Sequence, residues 1–336
     1  MARPNYRQNE TAKINRIADK KKRKCIIEGC NNFSINSHLL QRNGLLNNIS
    51  VDSHLIERKL IDPNKFVQNE SPFEFKRVGL KNAFSLSLLC NKHDSEIFEP
   101  IENSSVNFKS YQSNLLLSYR VTLAEIRKKE IALDKFQGML DSKVLEGKFD
   151  RFSLESTIKG FEYGINDLRF FQGLIEKELE NNDDNFVFHI YSYPLIKIYA
   201  SALFSPDKTF SLNSEDPNIP YEQIYIHLLP IENELYIICG YHKDYRNRFV
   251  RKYVKKWANL NSKKLGVQLT KLFCDRIENW GLSPEVYELM SPENLKKFNE
   301  QAKSTVYFPD LLSSNLNIFE CRKTAPSLRR TEVKNK

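Results

Sequence analysis

The chain has 336 residues, 40% hydrophobic and 28% charged, an ordinary balance for a soluble globular protein with room for two domains. It contains no run of about 18 apolar residues, and its first stretch, MARPNYRQNETAKINRIADKKKRK, is polar throughout. Those features argue against a membrane span and a secretory signal and point to the cytoplasm. In a reducing compartment the six cysteines read as metal ligands or small core residues, not disulfides.

The net charge of +9 is unevenly spread: residues 1–24 sum to +7, residues 322–336 to +5, and the body between them to −3. Basic arms suit contact with a nucleic-acid backbone, because each cation can displace a condensed counterion. The alternative is a pair of solubilising tails. Residues 1–24 are expected to be a disordered basic arm and 322–336 a basic tail. Residues 25–110 combine short apolar runs with many Asn and Ser, which predicts a hairpin knuckle, irregular connections and one helix.

From Tyr111 the pattern changes. Leu116, Tyr119, Leu123 and Ile126 recur in steps of three and four, and Leu133, Phe136 and Leu140 extend that face. Leu154, Ile158, Phe161, Ile165 and Leu168 restart the spacing after a break. Two long antiparallel amphipathic helices over 111–182 follow. Strands are then predicted at Phe186–Tyr193 and Leu195–Phe204, and a hairpin at Gln223–Leu229 and Leu235–Tyr241 with one face only moderately apolar. A helical tail is predicted over Tyr245–Gln301, with helix starts at Ser283-Pro284 and Ser291-Pro292. The expected class is α+β: a zinc-bearing head (25–110), a helical hairpin (111–182) and a small antiparallel β region with a helical tail (183–321).

The chemistry concentrates in the head. Cys25-Ile-Ile-Glu-Gly-Cys30 places two thiols around a glycine that permits a tight turn, and Cys90-Asn-Lys-His93 supplies a thiol and an imidazole just before a predicted helix start at Ser95. Two close pairs of such ligands suit one tetrahedral structural zinc ion. Iron–sulfur clusters usually take four cysteines, and calcium or magnesium would want oxygen ligands. The competing interpretation is unrelated core cysteines with a surface histidine. Cys239, Cys274 and Cys321 lie in apolar settings and read as core fillers.

These segments resemble the HNH, or ββα-metal, nuclease family over residues 25–100, in a layout similar to uncharacterised bacterial proteins. Cys25–Cys30 corresponds to the family's first Cys pair, Ser37-His38 to its Asp-His or His-His dipeptide, and Leu89-Cys90-Asn-Lys-His93-Asp94 to its Leu-Cys-x-x-Cys-His. The resemblance implies a treble-clef finger with His38 as general base and Asp94 in place of a metal-binding His, able to hold catalytic Mg2+ or Mn2+. The chain departs from the pattern at Ser37, where a metal-binding Asp is common, and at Ser85, where an Asn is expected; Asn82 is the nearest substitute.

His38 has two further interpretations, a substitute zinc ligand or a packed strand residue. His54 reads as an exposed loop residue, and His189, His227 and His242 as structural. Tyr245–Trp257 carries an apolar stripe and many cations; it could follow a phosphate backbone or dock with a solvated basic face. No phosphate-binding loop, dinucleotide fingerprint, nucleophile elbow or zincin motif is present. Two classes of function remain open. One is a zinc protein that engages DNA or RNA, cutting it in its catalytic form as an HNH-like endonuclease. The other is a non-catalytic, zinc-stabilised protein-interaction module, alone or within a multi-component bacterial defence system.

Overall fold

The computed structural model describes residues 6–61, 73–103, 105–206, 220–307 and 315–320. Its centre is a seven-stranded antiparallel sheet. Four strands come from the region expected to be β-rich: β5 (Phe186–Pro194), β6 (Ile198–Phe204), β7 (Ile224–Ile231) and β8 (Glu234–His242). The remaining three come from elsewhere in the chain. The hairpin of β2 (His54–Leu60) and β3 (Phe73–Gly79) lies within the stretch expected to be a separate zinc unit, and β9 (Trp280–Leu282) interrupts the expected helical tail. The order is β3-β2-β9-β6-β7-β8-β5. The β region is therefore larger than expected, and the boundary at residue 110 does not separate two sheets.

Both faces of this sheet are covered, so the period-two pattern sorts its residues into two cores. Tyr199, Leu203, Tyr225, Leu229, Tyr236 and Ile238 face one core; Ile198, Ala200, Ile224, Ile226, Ile237 and Cys239 face the other. The face expected to be only moderately apolar is as deeply buried as its opposite. Its polar member, His227, is fully buried and bonded to Ser201 Oγ at 2.9 Å.

Against that face runs α3 (Tyr111–Asp141), capped by Ser110, whose side chain accepts from the Ser113 amide. It pairs with α4 (Arg151–Asn181), which Asp150 caps and Asn182 ends in a left-handed conformation. Tyr111 meets Glu178 while Phe136 meets Phe161, so the two helices run antiparallel, as their spacing predicts. The opposite face carries α5 (Arg248–Lys255), α6 (Ser262–Asp275), α7 (Pro284–Leu289) and α8 (Pro292–Tyr307). Pro284 and Pro292 open α7 and α8 at the positions proline tolerates.

The N-terminal arm differs from its expectation. Tyr6–Lys20 form α1, with Ile14 and Ala18 buried against α3. Gly138 of α3 leaves the space that Ile14 fills. Lys21 and Arg23 both pair with Asp134, so part of the arm's charge is neutralised within the fold. The expected basic tail and Cys321 lie outside the described residues.

One glycine joins head and body. Gly281 of β9 sits between Glu57 of β2 and Tyr199 of β6, and a side chain there would collide with the tyrosine ring. Through that gap the Tyr199 hydroxyl donates to Glu57 Oε1 at 2.9 Å, and the Phe84 amide donates to the same oxygen at 2.5 Å.

Candidate metal centre and adjoining cavity

The first cysteine pair lies on a knuckle closed by a Lys24–Phe33 bridge and by Cys25 N–H donating to Asn32 O at 2.8 Å. Gly29 takes a φ of 75°, a left-handed value that costs glycine little and other residues more. The second pair lies at the start of α2 (Asn91–Glu102). Cys90 is its N-cap residue in extended conformation and His93 stands in its first turn. The knuckle is stitched to the irregular segment entering α2 by Ile26 N–H to Leu88 O at 3.1 Å and Ile35 N–H to Leu89 O at 2.7 Å.

This brings the ligand atoms of Cys25, Cys30, Cys90 and His93 within 4.8 Å of one another. Cys25 Sγ lies 3.3 Å from His93 Nδ1, Cys90 Sγ lies 3.6 Å from the same nitrogen, and the Cys30 and Cys90 sulfurs are 3.9 Å apart. A tetrahedron with metal–sulfur bonds of about 2.3 Å and a metal–nitrogen bond of about 2.0 Å has edges of roughly 3.5–3.8 Å. The observed separations match those edges and are far longer than a disulfide; all four side chains can serve one metal ion. Burial raises the Cys25 thiol, opposed by the backbone amides of Cys90 and Ile27. The His93 backbone amide lowers Cys90, favouring the thiolate that binds metal.

Two arginines, not anticipated from the sequence, hold the knuckle from behind. Arg127 of α3 donates to Lys24 O at 2.6 Å and Arg169 of α4 donates to Ile26 O at 3.2 Å. Arg120 and Arg127 adjoin the apolar stripe of α3 and are 2% and 4% exposed. Cations beside a buried stripe were the available signal, since such groups are buried only with partners.

Beside the cluster lies a cavity of about 540 Å³ lined by His38, Asp94, Ser37, Glu99, Glu102 and Arg120, among others. One wall is β1 (Asn36–His38), which pairs antiparallel with β4 (Ser85–Ser87); the other is α2. Gln41 fixes the two walls together by donating to Glu102 O and Asn103 O, the free carbonyls at the end of α2. At the floor, Arg120 pairs with Glu102 at 2.5 Å and stacks over Phe98.

His38 and Asp94 thus share one opening. His38 Nε2 lies 3.0 Å from Leu80 O; a carbonyl only accepts, so Nε2 carries a proton, and in the neutral ring Nδ1 is the nitrogen with the lone pair. Asp94 Oδ1 and Ser37 Oγ are buried without a hydrogen-bond partner. Asn82 is not brought to this site: it is exposed on the turn after β3, does not line the cavity, and its carbonyl receives the Ser85 hydroxyl. The remaining histidines lie apart from it. His54 Nδ1 contacts Asp52 O, His189 stacks on Tyr241, and His242 Nδ1 accepts the Asp244 amide.

Comparison with protein-family models, curated proteins and solved structures gives no match to this chain.

Proposed function

We propose that this chain is a zinc-stabilised protein with an HNH-like, treble-clef head that engages nucleic acid, and that the cavity beside the cluster hydrolyses phosphodiester bonds. The observation that carries this reading is that His38 and Asp94, distant in sequence, line one cavity adjoining the Cys25, Cys30, Cys90 and His93 cluster. In its support, the knuckle is followed in the chain by β1, β4 and α2, with β2 and β3 inserted between β1 and β4, and two of the four side chains stand at the helix start. Zinc suits the three-sulfur, one-nitrogen donor set.

In this mechanism His38 Nδ1 takes a proton from water while Leu80 O holds the ring by the other nitrogen. The water oxygen bonds to phosphorus as the bond to the leaving ester oxygen breaks, and that oxygen takes a proton from solvent. Mg2+ or Mn2+ held by Asp94 would supply charge stabilisation at the leaving oxygen. Among the described residues no second group of three close metal-ligating side chains occurs, so substrate and water oxygens would complete that ion's shell. Asp94, Glu96, Glu99 and Glu102 outnumber Arg120 around the cavity, so a phosphate is repelled until divalent cations neutralise them.

Nicking of plasmid DNA and of labelled RNA with and without magnesium or manganese tests this reading. The expected result is cation-dependent cleavage that falls about 100-fold or more in His38→Ala while zinc content is retained. Unchanged cleavage in that variant removes His38 from the mechanism. The interaction-module reading has its own support: Phe152, Tyr163 and Phe170 on α4 are 78%, 60% and 39% exposed and fall on one line of the helix. It predicts no cleavage and a stable complex lost on changing Phe152 and Tyr163 to serine.

A further inference from the structure

Residues 245–274 contain nine lysines and arginines and no aspartate or glutamate, whereas the rest of the stretch 25–321 sums to −12. This is a third basic region, separate from both termini, and it folds into α5 and α6. Arg248, Arg251, Lys252 and Lys255 stand at i, i+3, i+4 and i+7, which gathers them on one side of α5. All four are exposed, and among the described residues no carboxylate pairs with any of them. Lys263 and Lys264 add two exposed cations in the first turn of α6, where the helix dipole favours carboxylates instead. The fold therefore tolerates unopposed positive charge here, on a molecule whose body is otherwise acidic.

We infer that the exposed face of α5, together with the first turn of α6, binds the phosphodiester backbone of a nucleic-acid strand. The cationic stripe from Arg248 to Lys255 spans roughly 10 Å of helix axis. Arginine forks pair well with phosphate oxygens, and each contact releases a counterion. A lipid surface fits less well. An interfacial helix inserts its apolar side among acyl chains, but Val250, Val254 and Trp257 are buried in the core of the protein. Tyr191 further ties the helix down by donating to Val254 O at 3.0 Å. This surface lies across the central sheet from the cavity of His38 and Asp94, so it stands independently of the catalytic reading.

The test is polarisation of a labelled 30-nucleotide single strand and of its duplex by the full chain across a salt series. The wild type is compared with Arg251→Gln/Lys252→Gln/Lys255→Gln and with a charge-matched control, Lys143→Gln/Lys159→Gln/Lys177→Gln. We expect the α5 variant to lose at least tenfold in affinity at low salt. Its slope of log affinity against log salt should flatten by roughly two, at about 0.7–0.9 per lost phosphate contact. The control should stay near wild type. No binding by the wild type, equal loss in both variants, or unchanged binding in the α5 variant would each overturn the proposal. So would phosphatidylserine vesicles that bind the wild type more tightly than the oligonucleotide and lose that binding in the α5 variant.

Discussion

The head around residues 25–40 and 83–103 converges on four side chains, whereas β5–β8 bury two continuous faces. In the head, Cys25, Cys30, Cys90 and His93 concentrate their influence within 4.8 Å, and arginines from α3 and α4 hold the surrounding carbonyls. In the sheet the work is distributed over side chains that alternate between two cores. A few atoms decide the first region and buried area decides the second, so the two should fail differently.

Removing the metal should separate them most sharply. Structural zinc contributes about 10–16 kcal/mol of apparent binding free energy in small finger domains. Chelation, or Cys90→Ser, is expected to abolish hydrogen-exchange protection in α2 and the knuckle while β7 and β8 stay protected. Equal loss in both regions would mean that head and sheet unfold as one unit.

Next comes the joint between them. Glu57→Ala strands the buried Tyr199 hydroxyl and Phe84 amide, with an expected cost of about 3–5 kcal/mol in urea unfolding. Metal content should be unchanged. Loss of metal in this variant would show that the sheet, and not the ligands alone, shapes the head.

Acid sharpens the comparison from the side of the sheet. Burial lowers His227 to about 3 against its ordinary 6.5. The unfolded chain binds that proton near pH 6.5 and the folded chain only near pH 3, so stability is full above 6.5 and lost as pH falls between them. The contribution is at most about 1.4 kcal/mol per pH unit. Urea midpoints at pH 7 and pH 5 should differ more in the wild type than in His227→Gln. The smallest effect should come from Arg151→Gln, which breaks an exposed pair with Glu155 and should move stability by no more than about 0.5 kcal/mol.

The sequence made the site more legible than the architecture around it. Metal ligands come as close pairs whose spacing carries its own geometry, and α3 and α4 repeat one apolar face for many turns. The strands that complete the sheet carried no such mark. β2 buries Glu57 and Arg58, which breaks the alternation that signals a strand, and β9 is only three residues long. α1 looks like a polar arm because its contact rests on Ile14 and Ala18 against the gap left by Gly138, a residue far along the chain. The cavity was half legible. His38 and Asp94 follow from local motifs, but Arg120 joins the lining of their cavity only once α3 packs against α2.

The most direct test is the zinc content of the purified full-length chain, measured by elemental analysis against protein concentration. One zinc ion per chain, lost when Cys25 and Cys90 are both changed to serine, is the predicted result. A folded wild-type chain with no stoichiometric zinc would contradict the account.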